Sequence, residues 1–347
     1  MKKILLLNLF FISFFITSCS SDSSLSAGKS VFIAFWNVEN YFDTQDDPAI
    51  DDSEFLPESE KKWDKEKFDL KTANLAKVIA SMNGGTGPDV LGFAEVENKG
   101  VLETLTASLK ENYGQEYEIV HKDSPDGRGI DVALIYKKGL LDFVRSEAHR
   151  VELNDKYPTR DVMQVVLRAG GRDLNLFINH WPSRRGGQDE SEKNRIAAAG
   201  TLRTAVDKLF EAGKVANVII MGDFNDEPVN VSITQTLDAK AFNCADKNSV
   251  AENGVLYNLA YKKKSEGTGS YLYRSEWNML DQIIVSGSLI NGTTSVFPCD
   301  SFVVYKPEFI LQKEGNYAGS SLPTFGGKRY FGGYSDHFAV YAVFNLK

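Results

Sequence analysis

Apolar residues recur along this chain in two rhythms. Short runs that are continuously apolar, or that alternate apolar with polar, fall at 31–36, 89–96, 116–120, 131–136, 161–168, 174–179 and 215–221, and again at 279–285 and 338–344. Such runs predict strands buried on one face or both. A second rhythm starts at Asp64, where Phe68, Leu75, Val78, Ile79 and Met82 recur at helical spacing and Gly84 and Gly85 close the run. Helices are also predicted near 100–112 and over 189–212. Strands alternating with helices predict an α/β layered domain. The stretch 43–62 follows neither rhythm. It carries Asp43, Asp46, Asp47, Asp51, Asp52, Glu54, Glu58 and Glu60 with two prolines, and predicts a solvated loop or lid. Beyond Asp226 the pattern is irregular until the run at 279–285.

The first residues follow another logic. Lys2 and Lys3 precede an almost wholly apolar run at 4–16. It is too short to span a membrane, which takes about 20 residues, and it fits the core of a signal peptide. Ile16, Thr17, Ser18 and Cys19 resemble a bacterial lipobox, whose cysteine is lipidated. Residues 1–18 are therefore expected to be a leader, 19–29 a flexible tether and 30–347 one domain. The expected location is the cell envelope, at the outer membrane or cell surface, with membrane attachment through lipidated Cys19. Removing the leader takes the formal charge from −8 to about −10. An acidic surface argues against tight sequence-independent nucleic-acid binding driven by counterion release. It leaves room for a local basic groove and suits a divalent-cation site. Cys244 and Cys299 remain, in a compartment that permits disulfides, and their spacing leaves a disulfide and two buried thiols equally open.

Groups that can do chemistry collect where these strands end. Asn37 and Glu39 follow the first run and face the same way, because side chains on a strand alternate with period two. Glu95 closes the run at 89–96, Asn179 and His180 close 174–179, and Asp223 and Asn225 close 215–221. Asp281 lies in the run at 279–285, and Asp336 with His337 precedes the last strand. A carboxylate at the end of a buried run must be solvated, paired or metal-bound, and its oxygens suit Mg²⁺. Two of only four histidines fall in such places. The other two, His121 and His149, lack this company and read as surface or structural.

The ordered segments WNVEN (36–40), FAEVEN (93–98), RGIDVALIY (128–136), NHWPSR (179–184), MGDFND (221–226), MLDQIIVS (279–286) and YSDHFAV (334–340) resemble the endonuclease/exonuclease/phosphatase, or DNase I-like, family. They span nearly the whole domain in the family's order. The resemblance implies a four-layer α/β sandwich, two central mixed sheets flanked by helices, and a metal-dependent phosphoester hydrolase. It implies that Glu95 is the principal Mg²⁺ ligand, with Glu39 and Asp336 as further carboxylates and Asn37 holding the scissile phosphate near the metal. Mn²⁺ or Ca²⁺ are alternatives. Asp223 and Asn225 match the pair that positions the attacking water and the phosphoryl oxygens. His337 matches the histidine acting at the phosphate, as base or as stabilising cation, with Asp281 orienting it. His180 matches a second histidine, and Asp131 falls where its carboxylate partner would lie. Asn179 and Arg184 are further candidates for phosphate contact.

The substrate class is less sharply drawn. The basic loop at 182–187 with Arg184 and Arg185, the lysines at 262–264, and Arg274 place positive charge near the motifs. Trp181, Tyr271, Tyr273 and Trp277 could stack on bases or sugars. The favoured expectation is a nuclease or phosphodiesterase whose partner is a phosphoester, nucleic acid included. An inositol-phosphate or phospholipid-type enzyme is the alternative, and a catalytically dead envelope binding module is the third. The sequence leaves the oligomeric state open.

Overall fold

A strand apolar on both faces needs cover on both sides, and the first strand, β1 (Ser30–Tyr41), is buried almost end to end. In the computed structural model, which describes residues 30–153, 158–212, 215–251, 253–292 and 295–347, that cover is a second sheet on one side and helices on the other. The expected leader, lipobox and tether lie outside the described residues. In chain order the strands are β1, β2 (Val90–Val96), β3 (Tyr117–His121), β4 (Asp131–Lys137), β5 (Asp142–His149), β6 (Val162–Ala169), β7 (Arg172–His180), β8 (Val218–Asp223), β9 (Ala239–Ala241), β10 (Leu256–Asn258), β11 (Tyr271–Tyr273), β12 (Glu276–Asn278), β13 (Asp281–Ser286), β14 (Ser295–Val296), β15 (Val303–Tyr305), β16 (Phe325–Gly326), β17 (Arg329–Tyr330) and β18 (Ala339–Leu346). The long helices are α1 (Lys65–Ser81), α2 (Lys99–Tyr113) and α3 (Gln188–Glu211).

Among the described residues the strands form two seven-stranded sheets and two small hairpins. The first sheet runs β14-β18-β1-β2-β4-β3, with β15 also on β18. The second runs β5-β6-β7-β8-β13-β10-β9. Their centres repeat one pairing scheme. Along β18-β1-β2-β4-β3 the pairs are antiparallel, parallel, antiparallel and antiparallel. Along β13-β8-β7-β6-β5 the same series recurs. The sheets pack face to face, β1 on β8 and β2 on β7. Phe35, Leu91, Leu176 and Met221 belong to the core there, and Leu75, Ile79, Leu102 and Leu105 carry it under α1 and α2. Leu202 and Val206 of α3 close the outer face of the second sheet against Phe177 and Ile220. This is the four-layer sandwich, and the long strands and helices fall where the apolar rhythm put them.

Two local differences are physical. The acidic stretch 43–62 is anchored rather than simply solvated, because Phe55 and Trp63 are buried with Phe42 and Ile130, and Trp63 Nε1 donates to Phe42 O at 3.0 Å. Cys244 and Cys299 form a disulfide, with Cα atoms 5.6 Å apart. β5 escaped the sequence reading: it is an edge strand with no fully buried position, so its apolar rhythm is weak.

Candidate active site

The symmetry of the sheets brings the polar strand ends together. The regular pairing of β1 with β2 stops at Asn37 and β8 ends at Asp223, and Asn37 Nδ2 donates to Asp223 Oδ2 at 3.0 Å. β2 ends at Glu95 and β7 at His180, and His180 Nε2 lies 3.8 Å from Glu95 Oε1. β13 starts at Asp281 and β18 follows His337, and His337 Nδ1 is 2.7 Å from Asp281 Oδ2. Each contact joins equivalent positions of the two sheets. Asn37 Nδ2 also reaches Glu95 Oε1 at 3.2 Å. His180 Nε2 and His337 Nε2 approach the same Asp223 oxygen, at 3.8 and 3.9 Å. Asp223 thus stands between two imidazoles.

The backbone is bent to make this possible. Glu39, Asn40, Glu95 and Asn225 all have positive φ, at 53°, 50°, 63° and 49°. Such angles are uncommon for residues with a Cβ, and they cluster where function over-determines local geometry. The β1–β2 pairing slips between Asn37 and Tyr41, and the β2–β4 pairing between Ala94 and Val96. The bulge turns Glu95 out of the ladder, and Asn40 N–H then donates to Glu95 Oε2 at 2.9 Å. Gly222 is required for closeness: a Cβ there would lie 2.5 Å from Asn179 O.

The pKa values of the two histidines are pushed in opposite directions. Burial favours the neutral form of both. At His337 the carboxylates of Asp281 and Asp223 overcome burial and raise its pKa well above the usual histidine value. At His180 burial is reinforced by Arg160, Arg128 and His337, and the pKa falls well below that value. His180 Nδ1 is buried without a hydrogen-bond partner. Burial also raises the Asp223 carboxyl, which His337 partly offsets. Asp336 is pushed up to about 7 by burial and by the charges of Glu39 and Glu95, against the pull of His337 and Lys71. The charges of Glu39 and Glu95 act together on Asp336, and the oxygens of Glu95 and Asp336 are of the type that could hold a hard divalent cation.

Two predicted roles are corrected, and the other predicted residues have partners of their own. The expected pair of His180 with Asp131 does not form. Asp131 Oδ2 is 2.9 Å from His121 Nε2, and its Oδ1 accepts from Ser124 N and Oγ at 2.8 and 2.6 Å. β4 lies beyond β2 in the first sheet, and His121 is registered against Ala133, two residues from Asp131 on the same face. His121, read as surface or structural, is therefore the histidine that Asp131 serves. Asn179 is fully buried; it donates to Phe177 O and Met221 O and accepts from Trp181 Nε1, so it braces strands and cannot meet a phosphate. Arg184 donates through Nε to Asn225 O at 2.7 Å and through Nη1 to Asn278 Oδ1 at 3.1 Å, which ties two loops together. Glu39 accepts from Thr324 N and Phe325 N through its two oxygens, and its charge bears on Asp336. Asn37 spends its amide on Glu95 and Asp223, and its Oδ1 accepts from Glu39 N, which makes it a brace between them. Asn225 donates to Trp181 O at 3.0 Å, and its backbone N–H caps Asp223 Oδ1 at 2.9 Å.

Two neighbours of the site, Lys71 and Arg160, were missed, and Tyr271, read as a possible stacking residue, lies against His337 instead. Lys71 is buried, and its Nζ donates to Thr324 Oγ1 at 2.6 Å and Tyr334 O at 2.7 Å. Burial lowers its pKa to about 8, against the pull of Glu39, Asp336 and Glu95. The signal was present: Lys71 lies three residues after Phe68 and four before Leu75, on the apolar face. Arg160 donates to His180 O and Trp181 O and pairs with Asp126 at 2.9 Å, which fixes the end of β7. Tyr271 stacks on His337 with centroids 4.6 Å apart.

The sequence matches the profile of the endonuclease/exonuclease/phosphatase family over residues 32–346. The chain belongs to that family. As a family member it is a phosphoester hydrolase. No curated protein matches the sequence. Among solved structures, the chain is similar to D. rerio TDP2 complexed with single strand DNA product, at 17% identity and TM-score 0.54, covering 91% of this chain and 99% of that one. It is similar to the human Nocturnin catalytic domain with bound sulfate, at 16% identity and TM-score 0.54, covering 92% and 95%. It is also similar to a Bacteroides thetaiotaomicron mannosyl-6-phosphatase, at 16% identity and TM-score 0.53, covering 90% and 99%. At these identities the likeness speaks for the fold.

Proposed function

We propose that this enzyme is a Mg²⁺-dependent phosphodiesterase acting on nucleic-acid-type substrates, secreted to the cell envelope and anchored through lipidated Cys19. The observation that carries the reading is the Asp223 carboxylate set between two imidazoles of opposite charge tendency, beside the Glu95 and Asp336 carboxylates. Hydrolysis of a phosphoester needs a positioned water, charge stabilisation at the phosphoryl oxygens and a proton for the leaving alkoxide. Asp223, with its raised carboxyl pKa, takes the role of orienting the water and receiving its proton. His337, held by Asp281 as an imidazolium, places positive charge at the phosphoryl oxygens and can donate from Nε2. His180 stays neutral and supplies a hydrogen-bonding Nε2 without adding charge. A Mg²⁺ ion held by Glu95 and Asp336 would supply Lewis acidity to a phosphoryl oxygen. Mn²⁺ or Ca²⁺ could use the same oxygens.

One observation supports the envelope assignment, and another bears on the substrate. The Cys244–Cys299 disulfide suits an oxidising compartment. β1 begins at Ser30 and reaches Asn37 after seven steps of about 3.3 Å, so a tether at Ser30 leaves the pole opposite the catalytic residues. That polarity favours a soluble substrate over a phospholipid in the enzyme's own membrane. The test is hydrolysis of DNA, RNA, inositol phosphates, a hexose 6-phosphate and choline phospholipids, each with Mg²⁺ and with EDTA. Mg²⁺-dependent cleavage of a nucleic acid is expected. Activity confined to monoesters, or unaffected by EDTA, would overturn the reading. Cys19→Ser should release the protein from the membrane fraction, because attachment rests on acyl chains.

A further inference from the structure

Four aromatic residues were candidates for stacking, and the fold removes two of them. Trp181 is buried edge-on to Phe224. Trp277 is stacked on Phe338 with Lys306 over it. Tyr271 and Tyr273 remain, on the two-residue hairpin β11–β12. Their rings are parallel to within 12°, with centroids 6.4 Å apart. Tyr271 lies in turn on His337. Tyr273 is 49% exposed, and the Arg274 guanidinium sits 5.1 Å from its ring centroid. A column of planar groups thus leads outward from the catalytic imidazole and ends in an exposed cation.

The hairpin is fixed to the reaction centre. Ser270 Oγ accepts from Asp281 N at 3.1 Å, and Ser270 O accepts from Phe338 N at 2.8 Å. Its other strand is tied to the Asn225 loop through Asn278 and Arg184. The turn holds Arg274 and Ser275 at φ 48° and 68°, angles that Gly or Asn usually supply. A residue with a Cβ kept there at a cost in strain presents its side chain at a set place.

We propose that the Tyr271–Tyr273–Arg274 hairpin is the nucleobase platform of this site: a base one pentose away from the scissile phosphorus stacks on the tyrosines, and Arg274 meets the next phosphate. Rings stack on aromatic side chains whatever the base, so the platform selects for a base without selecting its identity. The inference rests on the phosphodiesterase reading and deepens it.

The experiment compares a short single-stranded oligonucleotide carrying one cleavable phosphodiester with the same oligomer abasic beside that bond. Both are tested with the full enzyme and Mg²⁺, as wild type, Tyr273→Leu, Tyr273→Trp and Arg274→Gln. Wild type should cleave the base-bearing oligomer about tenfold better in kcat/KM, chiefly through KM. Tyr273→Leu should erase that preference and leave abasic cleavage unchanged, and Tyr273→Trp should keep it. Arg274→Gln should weaken both oligomers and flatten their salt dependence. Adenosine 5′-monophosphate should inhibit better than ribose 5-phosphate in wild type but not in Tyr273→Leu. Equal cleavage of the two oligomers by wild type, or an equal fall on both with Tyr273→Leu, overturns the platform while leaving the hydrolase intact. Failure of wild type to cleave either oligomer overturns the phosphodiesterase reading itself.

Discussion

The two central sheets share one pairing scheme, yet they furnish the site with different chemistry. The first sheet supplies Asn37, Glu95 and Asp336, together with His337 at the entry to β18. The second supplies Asp223, Asp281 and His180. The histidine of the first sheet is gripped by a carboxylate of the second at 2.7 Å. The histidine of the second sheet meets the first only at 3.8 Å, from Glu95. The first imidazole is therefore biased toward its cation and the second toward its neutral form. The carboxylate expected to serve His180 lies on β4, within the first sheet, and serves His121 there. Equivalent strand positions decide which residues meet across the interface, and distance decides which of them share a proton.

The largest effect should come from the gripped histidine. His337→Gln is expected to lower kcat by about 10³-fold or more, since it removes both a proton-transfer group and a fixed positive charge. His180→Gln should cost about 10²-fold, because it removes one uncharged hydrogen-bonding group. Steady-state rates on one substrate decide it, and an equal loss in the two variants would end the distinction. Asp281→Asn should sit between them in kcat, with the circular dichroism spectrum unchanged. Asp131→Asn should change kcat by less than about threefold and reduce stability by about 1–2 kcal/mol, the cost of a weakened buried hydrogen-bonded pair. Urea melts and rates on the same preparation separate these outcomes. A rate loss with Asp131→Asn as large as that with Asp281→Asn would restore the second catalytic pair.

The smallest effect is a pH dependence of stability, read in EDTA. The folded pKa of His337 is raised. Its contribution is fully present below the unfolded value of about 6.5 and is lost as pH rises through the folded pKa. The folded pKa of His180 is lowered. Its contribution is present above about 6.5 and is lost as pH falls toward the folded pKa. His337→Gln should therefore flatten the alkaline limb of the urea midpoint against pH, and His180→Gln the acid limb. The reverse assignment of limbs would mean that the two charge states are exchanged.

Much of this was legible along the chain because it is local. Buried strands need apolar runs, helices need a face, and a catalytic group needs a place where a strand stops. Asn37, Glu95, His180, Asp223, Asp281 and His337, which the fold brings together, each stood out as polar groups at or beside apolar runs. Lys71 was legible too, as a charge on the apolar face of α1, but a cation there had no evident partner until the segment holding Thr324 and Tyr334 folded over it. Asp131, Asn179 and Arg184 carried the right chemistry in the right motifs. Their hydrogen bonds went instead to His121, to strand backbones and to the Asn225 loop, and no local rule foretells those partners.

By itself the sequence determined the layered α/β architecture, the order of the core strands and the residue types at their ends, because burial and periodicity are properties of neighbouring positions. Only the tertiary structure decided which of those residues touch, since pairing across the sheets joins groups as far apart as the 186 residues between Asn37 and Asp223. It also decided which histidine carries charge, because a pKa is set by burial and by every nearby charge in space rather than by the neighbours in the chain.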